Sequence, residues 1–188
     1  QKRDLIYEMA KEMIDAGIPI DGIGHQGHMS ITHPPVPLLV DSIEKMASLG
    51  LDNQITELDM SIYISDTQAS YGSYDNIPDG ILETQAKRYQ DLFQALREIS
   101  DSVSSVVFWG IADDHTWLHD FPTQGRVNAP FVFDHEFQAK SGYYAITEHY
   151  EEKKLPATAT NQINYMLIGS TLLLVGTVYL IYLRKRKT

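Results

Sequence analysis

Short apolar segments alternate with amphipathic helical segments over residues 1–152, and this alternation restricts the chain to an α/β fold. The predicted strands are 18–24, 54–60 and 105–113. Because strands joined through helices pair in parallel, the pattern predicts a parallel sheet with right-handed crossovers. The nearly continuous apolar run at 105–113 predicts a strand that is covered on both faces.

Four segments have the apolar spacing of helices: 1–17, 35–50, 79–101 and 140–152. Gly17 and Gly50 are natural helix ends. The first helix carries one apolar stripe of Leu5, Ile6, Met9, Met13 and Ile14. The longest helix is predicted to bury Leu82, Ala86, Tyr89, Phe93, Leu96 and Ile99.

All three predicted strands have side chains that can do chemistry at or near their carboxyl ends: His25, Gln26, His28, Glu57, Asp59, Trp109 and Asp113. In a closed (β/α)8 barrel the catalytic residues lie at the carboxyl ends of the strands, and such a barrel has about 250 residues. The sequence therefore predicts the C-terminal part of a TIM barrel, about its last three βα units, within a longer protein.

The segment QITELDMSIY places two acids, Glu57 and Asp59, inside an otherwise apolar strand. Side chains alternate along a strand, so both acids are predicted on one face, with Thr56 and Leu58 on the other. A buried carboxylate is costly unless it is paired, hydrogen-bonded or used in chemistry. A salt-bridged pair at a strand end and a catalytic site both fit this stretch.

Composition excludes several classes of function. Residues 1–152 hold all 25 acidic residues against 9 basic ones, a formal charge of −16, which argues against a nucleic acid partner. The chain has no cysteine, so disulfide and thiolate chemistry are excluded. His25, His28 and His33 suggest a metal site as an alternative, but no standard ligand spacing occurs, and no metal or organic cofactor is predicted.

Both tryptophans of the chain, Trp109 and Trp117, lie in the segment FWGIADDHTWL. A tryptophan is most often packed in the core. Here polar residues flank each one at a strand end, so the alternative is an aromatic surface that stacks on a sugar ring. His115 and His119 are four apart, but the glutamate of the HExxH motif is missing, so a zinc protease site is not predicted.

Together these segments resemble glycoside hydrolase family 10, the endo-1,4-β-xylanases. The matching stretches are IDGIGHQGHM, ITELDM, FWGIADDHTWL and, more loosely, PFVFDHEFQAKSGYYAI, in family order over residues 4–150. The resemblance implies that Glu57 is the nucleophile of a retaining glycosidase. It also implies that His28 hydrogen-bonds this nucleophile and that Asp59 holds His28 in position.

The resemblance further implies that Gln26, Trp109 and Trp117 line the sugar subsites beside the scissile bond. A retaining mechanism needs a second carboxyl group, about 5–5.5 Å from the nucleophile, as general acid/base. In the family this group is a glutamate after an asparagine at the end of the fourth strand, and this chain is expected to begin after the fifth. The chain is therefore expected to lack the acid/base and to be inactive alone.

The C-terminal segment differs in composition from the barrel. Residues 166–183 are 18 residues without a charge, and the basic run RKRK follows them. This pattern predicts a transmembrane helix whose basic tail, 184–188, lies in the cytoplasm.

The segment LPATA at 155–159, with the apolar run and the basic tail, resembles a sortase sorting signal of Gram-positive bacteria. Leu155 and Pro156 begin the motif, and Ala159 stands where the usual motif has glycine. The resemblance implies that sortase cleaves after Thr158 and joins the chain to cell-wall peptidoglycan.

The predicted organisation is a partial barrel at 1–152, a linker with the sorting motif at 153–165, a transmembrane segment at 166–183 and a basic tail at 184–188. The predicted function is a retaining endo-1,4-β-xylanase at the surface of a Gram-positive bacterium. Its expected partners are xylan or xylo-oligosaccharides, sortase, peptidoglycan and the membrane. Two alternatives are another retaining β-1,4-glycosidase and a membrane-anchored sugar-binding remnant without catalysis.

Overall fold

The computed structural model describes residues 2–147, which form strands and helices in alternation. The elements in chain order are α1 (Lys2–Asp15), β1 (Gly22–His25), β2 (His28–Ser30), α2 (Val36–Ala47), β3 (Asp52–Ser61), α3 (Asp79–Glu98), β4 (Ser105–Phe108) and α4 (Ser141–Thr147). Short 3₁₀ turns lie in the loops at Tyr74–Asn76, Asp113–His115 and Trp117–His119. The predicted alternation is confirmed.

β3 is the central strand of the sheet, and β1, β2 and β4 all pair with it in parallel. β1 pairs with the first half of β3, and β2 pairs with its last three residues, so that His28 lies opposite Asp59. The predicted parallel sheet is confirmed. The predicted first strand, 18–24, corresponds to the shorter β1, and β2 is a second short strand that was not predicted.

β3 contains a β-bulge between Ile55 and Leu58, where its register with β4 shifts. The register with β1 and β2 shifts by one residue over the same stretch. Ile55 and Leu58 both pack in the core, although a regular strand would place residues three apart on opposite faces. The bulge thus keeps apolar side chains towards the helices along all of β3.

The hydrophobic core lies between β3 and the helices α2 and α3. Ala86, Tyr89 and Leu96 of α3 are buried as predicted. Leu92 is also fully buried, whereas Phe93 is only partly buried. Leu82 and Ile99 are also only partly buried, so three of the six predicted positions are buried and Leu92 is an unpredicted addition.

β4 ends at Phe108, so it is shorter than the predicted strand 105–113. Gly110 then packs so closely on the ring of Phe131 that a Cβ atom would lie 2.5 Å from it. The chain leaves the sheet at this contact. The following segment, which includes Asp113, forms a loop instead of the end of a strand.

Two apolar surfaces are exposed among the described residues. Leu5 and Met9 of α1 are 72% and 56% exposed, and Ala10 is the residue of α1 that is buried. Val107 of β4 and Ile111 after it are 50% and 75% exposed. The prediction that β4 is covered on both faces is therefore wrong for this part of the chain.

The predicted end of the last helix, the linker, the sorting motif, the transmembrane segment and the basic tail lie outside the described residues. α4 begins at Ser141, one position after its predicted start, and is described to Thr147. Within residues 2–147, no helix has the length and apolar character needed to cross a bilayer.

Candidate active site

β2 and β3 place His28 between two carboxylates at the carboxyl end of the sheet. His28 Nδ1 lies 3.0 Å from Asp59 Oδ2, and His28 Nε2 lies 3.2 Å from Glu57 Oε2. The prediction that both acids face the same way is confirmed. Gly27, before His28, has a φ of 84°, and a Cβ atom there would lie 2.6 Å from Ile55, so the turn between β1 and β2 requires glycine.

The two carboxylates differ in their access to solvent. The Asp59 side chain is 1% exposed, whereas that of Glu57 is 24% exposed. Asp59 Oδ2 also accepts a hydrogen bond of 2.7 Å from Trp117 Nε1. Burial raises the pKa of Asp59 above its ordinary value, and the contacts with Trp117 and His28 oppose that rise. Asp59 is therefore placed to orient His28, and Glu57 is the carboxylate that a ligand can reach.

Both tryptophans lie beside this cluster with partly exposed rings. The Trp117 ring is tilted against that of His28, with centroids 5.0 Å apart, and Phe121 stacks on Trp117 at 5.2 Å. Trp109 is 50% exposed, and its backbone N–H donates to the carbonyl of Leu58 on β3. Neither tryptophan is a buried core residue, which favours the alternative of an aromatic binding surface.

Gln26 contacts the cluster through its backbone. Its carbonyl accepts a hydrogen bond of 2.8 Å from the N–H of Glu57, and its side chain is exposed. The left-handed φ of Gly27 interrupts the strand between Gln26 and His28. Residues two apart share a face only in an uninterrupted strand, so this relation does not hold for Gln26 and His28.

His25 and His119 have partners outside this cluster, whereas His33 lines the same cavity as His28. His25 Nε2 lies 2.9 Å from Asn53 Oδ1, and His119 Nε2 lies 3.0 Å from the Tyr74 hydroxyl. Over residues 2–147, no group of three histidine, aspartate or glutamate side chains is arranged to hold a metal ion. The alternative of a metal site has no support in this part of the chain.

Asp113 forms a buried ion pair and is not part of the cluster around His28. Lys140 Nζ donates hydrogen bonds of 2.8 Å to Asp113 Oδ2 and to the carbonyl of Ala129, and the N–H of Phe131 donates to Asp113 Oδ1. Burial raises the pKa of Asp113 and lowers the pKa of Lys140, and each partner opposes the shift of the other. This pair ties the loop that carries Trp117 to the start of α4.

Three residues close to the cluster were not predicted from the sequence: Tyr63, Phe121 and Arg126. Tyr63 and Arg126 line the same cavity as His28, and Phe121 stacks on Trp117. The sequence feature that could have pointed to Arg126 is that no other arginine or lysine occurs between Arg97 and Lys140.

Known proteins share both parts of this chain. A model of glycosyl hydrolase family 10 matches residues 1–149, and a model of the LPXTG cell wall anchor motif matches residues 147–188. A thermostable celloxylanase of Thermoclostridium stercorarium is 54% identical over 147 residues, which are 78% of this chain and 37% of that protein. Endo-1,4-beta-xylanase A of Halalkalibacterium halodurans is 46% identical over 151 residues, 78% of this chain and 38% of that protein.

Among solved structures, xylanase B from Clostridium stercorarium F9 matches with a TM-score of 0.74 and 55% identity, over 77% of this chain and 42% of that one. A xylanase of Thermobacillus composti matches with a TM-score of 0.72 and 41% identity, over 77% of this chain and 47% of that one.

The parallel α/β sheet and the carboxylate–imidazole–carboxylate cluster at its carboxyl edge define part of a TIM barrel with a candidate catalytic site. The chain belongs to glycosyl hydrolase family 10. Both resemblances seen in the sequence, to this family and to a Gram-positive cell wall anchor, are confirmed. The chain spans about two fifths of the length of the two curated relatives.

Proposed function

We propose that the protein containing this chain is a retaining endo-1,4-β-xylanase that hydrolyses internal β-1,4-xylosidic bonds of xylan. The observation that carries the proposal is the contact of His28 with Glu57 and Asp59 at the carboxyl end of β3. In TIM-barrel enzymes this end of the strands is where catalytic residues lie. Membership of family 10, and relatives named as xylanases, support the choice of substrate.

Glu57 is the proposed nucleophile. Its Oε2 faces His28, so we assign Oε1 to the attack on the anomeric carbon. A bond forms between Glu57 and this carbon, the glycosidic C–O bond breaks, and the leaving oxygen takes a proton from the general acid. A water molecule, deprotonated by the same group, then hydrolyses the glycosyl-enzyme and restores the Glu57 carboxylate.

His28 and Asp59 are positioning residues in this proposal. The contact of 3.2 Å between His28 Nε2 and Glu57 Oε2 limits the rotation of the Glu57 carboxylate before attack. Asp59 holds the opposite ring nitrogen of His28, and the indole N–H of Trp117 holds Asp59. This chain of contacts links the carboxyl end of β3 to the loop after β4.

Trp109, Trp117 and Gln26 are the proposed contacts of the sugar. The exposed rings of the two tryptophans offer apolar surface to the C–H face of a pyranose. The exposed amide of Gln26 can both donate and accept hydrogen bonds with sugar hydroxyls. Trp117 contacts both His28 and Asp59, and the carbonyl of Gln26 accepts from the backbone N–H of Glu57, which supports this assignment.

The second carboxyl group of the mechanism must lie about 5–5.5 Å from Glu57 in a retaining enzyme. We propose that a glutamate from another part of the barrel, outside these 188 residues, supplies it. This proposal agrees with the span of the chain, about two fifths of its relatives. We expect the 188-residue chain alone not to turn over xylan.

The stereochemistry of the product tests the proposed function. We expect the complete protein to cleave xylohexaose internally and to release the β-anomer first, because two displacements at one carbon retain its configuration. Proton NMR of the anomeric signals during the first minutes measures this. Initial release of the α-anomer would contradict a glycosyl-enzyme on Glu57. Faster cleavage of cello-oligosaccharides would favour the other retaining β-1,4-glycosidase, and no cleavage of either would favour a binding module.

We also propose that the C-terminal segment attaches the protein to the cell surface. In this proposal, 153–165 is a linker with the sorting motif, 166–183 crosses the membrane, and 184–188 is a cytoplasmic tail. The uncharged length of 166–183 and the basic run after it support insertion with the barrel outside. The match to a cell wall anchor motif supports cleavage by sortase after Thr158 and transfer to peptidoglycan.

Replacing Leu155 and Pro156 with alanine is expected to move the protein from the wall fraction to the membrane fraction. The change removes the start of the motif and leaves the apolar run intact. Muramidase digestion and detergent extraction of cells, followed by immunoblotting, measure the two fractions. The matched control is the pair Thr160→Ala and Asn161→Ala, just after the motif, which should remain wall-bound. Complete detergent extraction of the unchanged protein would contradict covalent attachment.

A further inference from the structure

A cavity of about 330 Å³ opens beside the candidate active site. His28, Asp59 and Trp117 line one side of it, and Tyr63, Asp66 and Arg126 line another. His28 and Asp59 lie on β2 and β3, Tyr63 and Asp66 on the loop after β3, and Trp117 and Arg126 on the loop after β4. Because His28 both contacts Glu57 and lines this cavity, a substituent on a sugar held at Glu57 can enter the cavity that Arg126 also lines.

Arg126 is a buried cation without an ion pair among the described residues. It is 3% exposed, and its guanidinium lies over the Tyr63 ring, 4.2 Å from the centroid. Nη1 donates to the carbonyls of Ser65 and Gln68 at 3.0 and 3.5 Å. Nε is buried and has no acceptor in the part of the chain that is described.

An unpaired buried charge is costly, so a buried arginine needs a compensating interaction. The bonds of Arg126 have a structural role, because they join the loop after β3 to the loop after β4. Two neutral carbonyls, however, do not neutralise the charge of a guanidinium. The N–H donors of this planar group fit the two oxygens of a carboxylate best. Asp66 also lines the cavity, but its side chain is exposed, so water screens its charge.

We infer that Arg126 binds a carboxylate carried by a substituent of the substrate, so that the site selects acidic sugar side groups on a β-1,4-linked chain. The inference rests on the proposed function and names a feature of its substrate. Arg126 is the one arginine or lysine among the residues that line the cavity, and the domain around it is strongly acidic. A uronic acid substituent supplies the missing counter-charge and an oxygen that can accept from the guanidinium.

The first test uses the complete protein without any substitution. Three xylo-oligosaccharides of equal length are compared: one with a glucuronic acid substituent, one in which that carboxyl group is reduced to the neutral glucose substituent, and one unsubstituted. We expect kcat/KM to be about tenfold to a hundredfold higher for the acid than for its reduced form, the range of a charge-assisted hydrogen bond. Equal values, or a higher value for the reduced form, would overturn the inference.

The second test uses Arg126→Gln, which removes the charge. The ratio of kcat/KM for the acid to that for its reduced form should fall towards one. Thr123→Val is the matched loop control, because Thr123 Oγ1 bonds the carbonyl of Asp66 and joins the same two loops without a charge. Lys87→Gln, on the outer surface of α3 and paired with Asp91, is the charge control. Both controls should keep the wild-type ratio.

The outcomes separate this inference from the function on which it rests. Hydrolysis of the unsubstituted oligosaccharide without preference for the acid overturns the inference alone. A preference that survives Arg126→Gln assigns the carboxylate to another group and also overturns it. Absence of hydrolysis of all three compounds overturns the proposed function and the inference together.

Discussion

Glu57→Gln in the complete protein is expected to remove nearly all xylan hydrolysis, a loss of roughly a thousandfold or more, while the fold stays intact. Glutamine has the shape of glutamate, but its neutral amide cannot form the glycosyl-enzyme. Initial rates on xylan, with circular dichroism to verify the fold, measure the effect. A variant that keeps more than about a tenth of the activity, a barrier change under about 1.4 kcal/mol, would show that Glu57 is not the nucleophile.

Two further variants make this test specific. Asp52→Asn changes an exposed carboxylate at the opposite end of the same strand, so its activity should equal that of the wild type. His28→Ala should reduce the rate less than Glu57→Gln and should change the pH–rate profile, because His28 orients and tunes the nucleophile without bonding to the sugar. Full activity with an unchanged profile would make His28 a structural residue.

A small anion can replace the missing carboxylate of Glu57→Ala. With azide and a substrate that has a good leaving group, we expect partial recovery and an α-glycosyl azide as product. The azide nitrogen bonds to the anomeric carbon from the face that Glu57 occupied, and the leaving group departs from the other. A β-azide, or no recovery in a folded variant, would contradict the assignment of that face to Glu57.

Lys140→Met is expected to lower the free energy of unfolding by about 3–5 kcal/mol. The change leaves the Asp113 carboxylate, 1% exposed, without its counter-charge. Urea unfolding of the complete protein at pH 7 measures the loss. In the double variant Asp113→Asn with Lys140→Met, the amide still accepts from Phe131 and no buried charge remains, so most of the stability should return. Equal instability of the single and double variants would contradict the role of the charge.

The effect of Lys140→Met should depend on pH. Without the ammonium group, burial holds the pKa of Asp113 above its unfolded value, so the folded state binds more protons than the unfolded state between those two pKa values. Stability of the variant therefore falls as pH rises from about 4 through the folded pKa. Unfolding curves at pH 4.5 and pH 8 measure the difference in the free energy of unfolding between wild type and variant. This difference should be smaller at pH 4.5.

Much of the candidate site was predictable because its signals are local in sequence. The alternation of strands and helices follows from apolar spacing over a few residues. Glu57 and Asp59 are conspicuous because acids are rare inside an apolar strand, whereas His28 lies opposite Asp59 on β2, a strand that was not predicted. Asp113 was grouped with these acids because its strand was expected to be longer than β4 is.

The sequence by itself determined the α/β class and the order of the elements, since periodicity is a property of short segments, and the resemblance of its motifs to the family implied that His28, Glu57 and Asp59 lie together. Only the tertiary structure decided which carboxylate a ligand can reach, because the bulge in β3 and the cover from Trp117 set the exposure of Glu57 and Asp59. Exposure and charge pairing depend on contacts between residues far apart in the chain, such as Asp59 and Trp117, which are separated by 58 positions. Local sequence patterns do not encode such contacts.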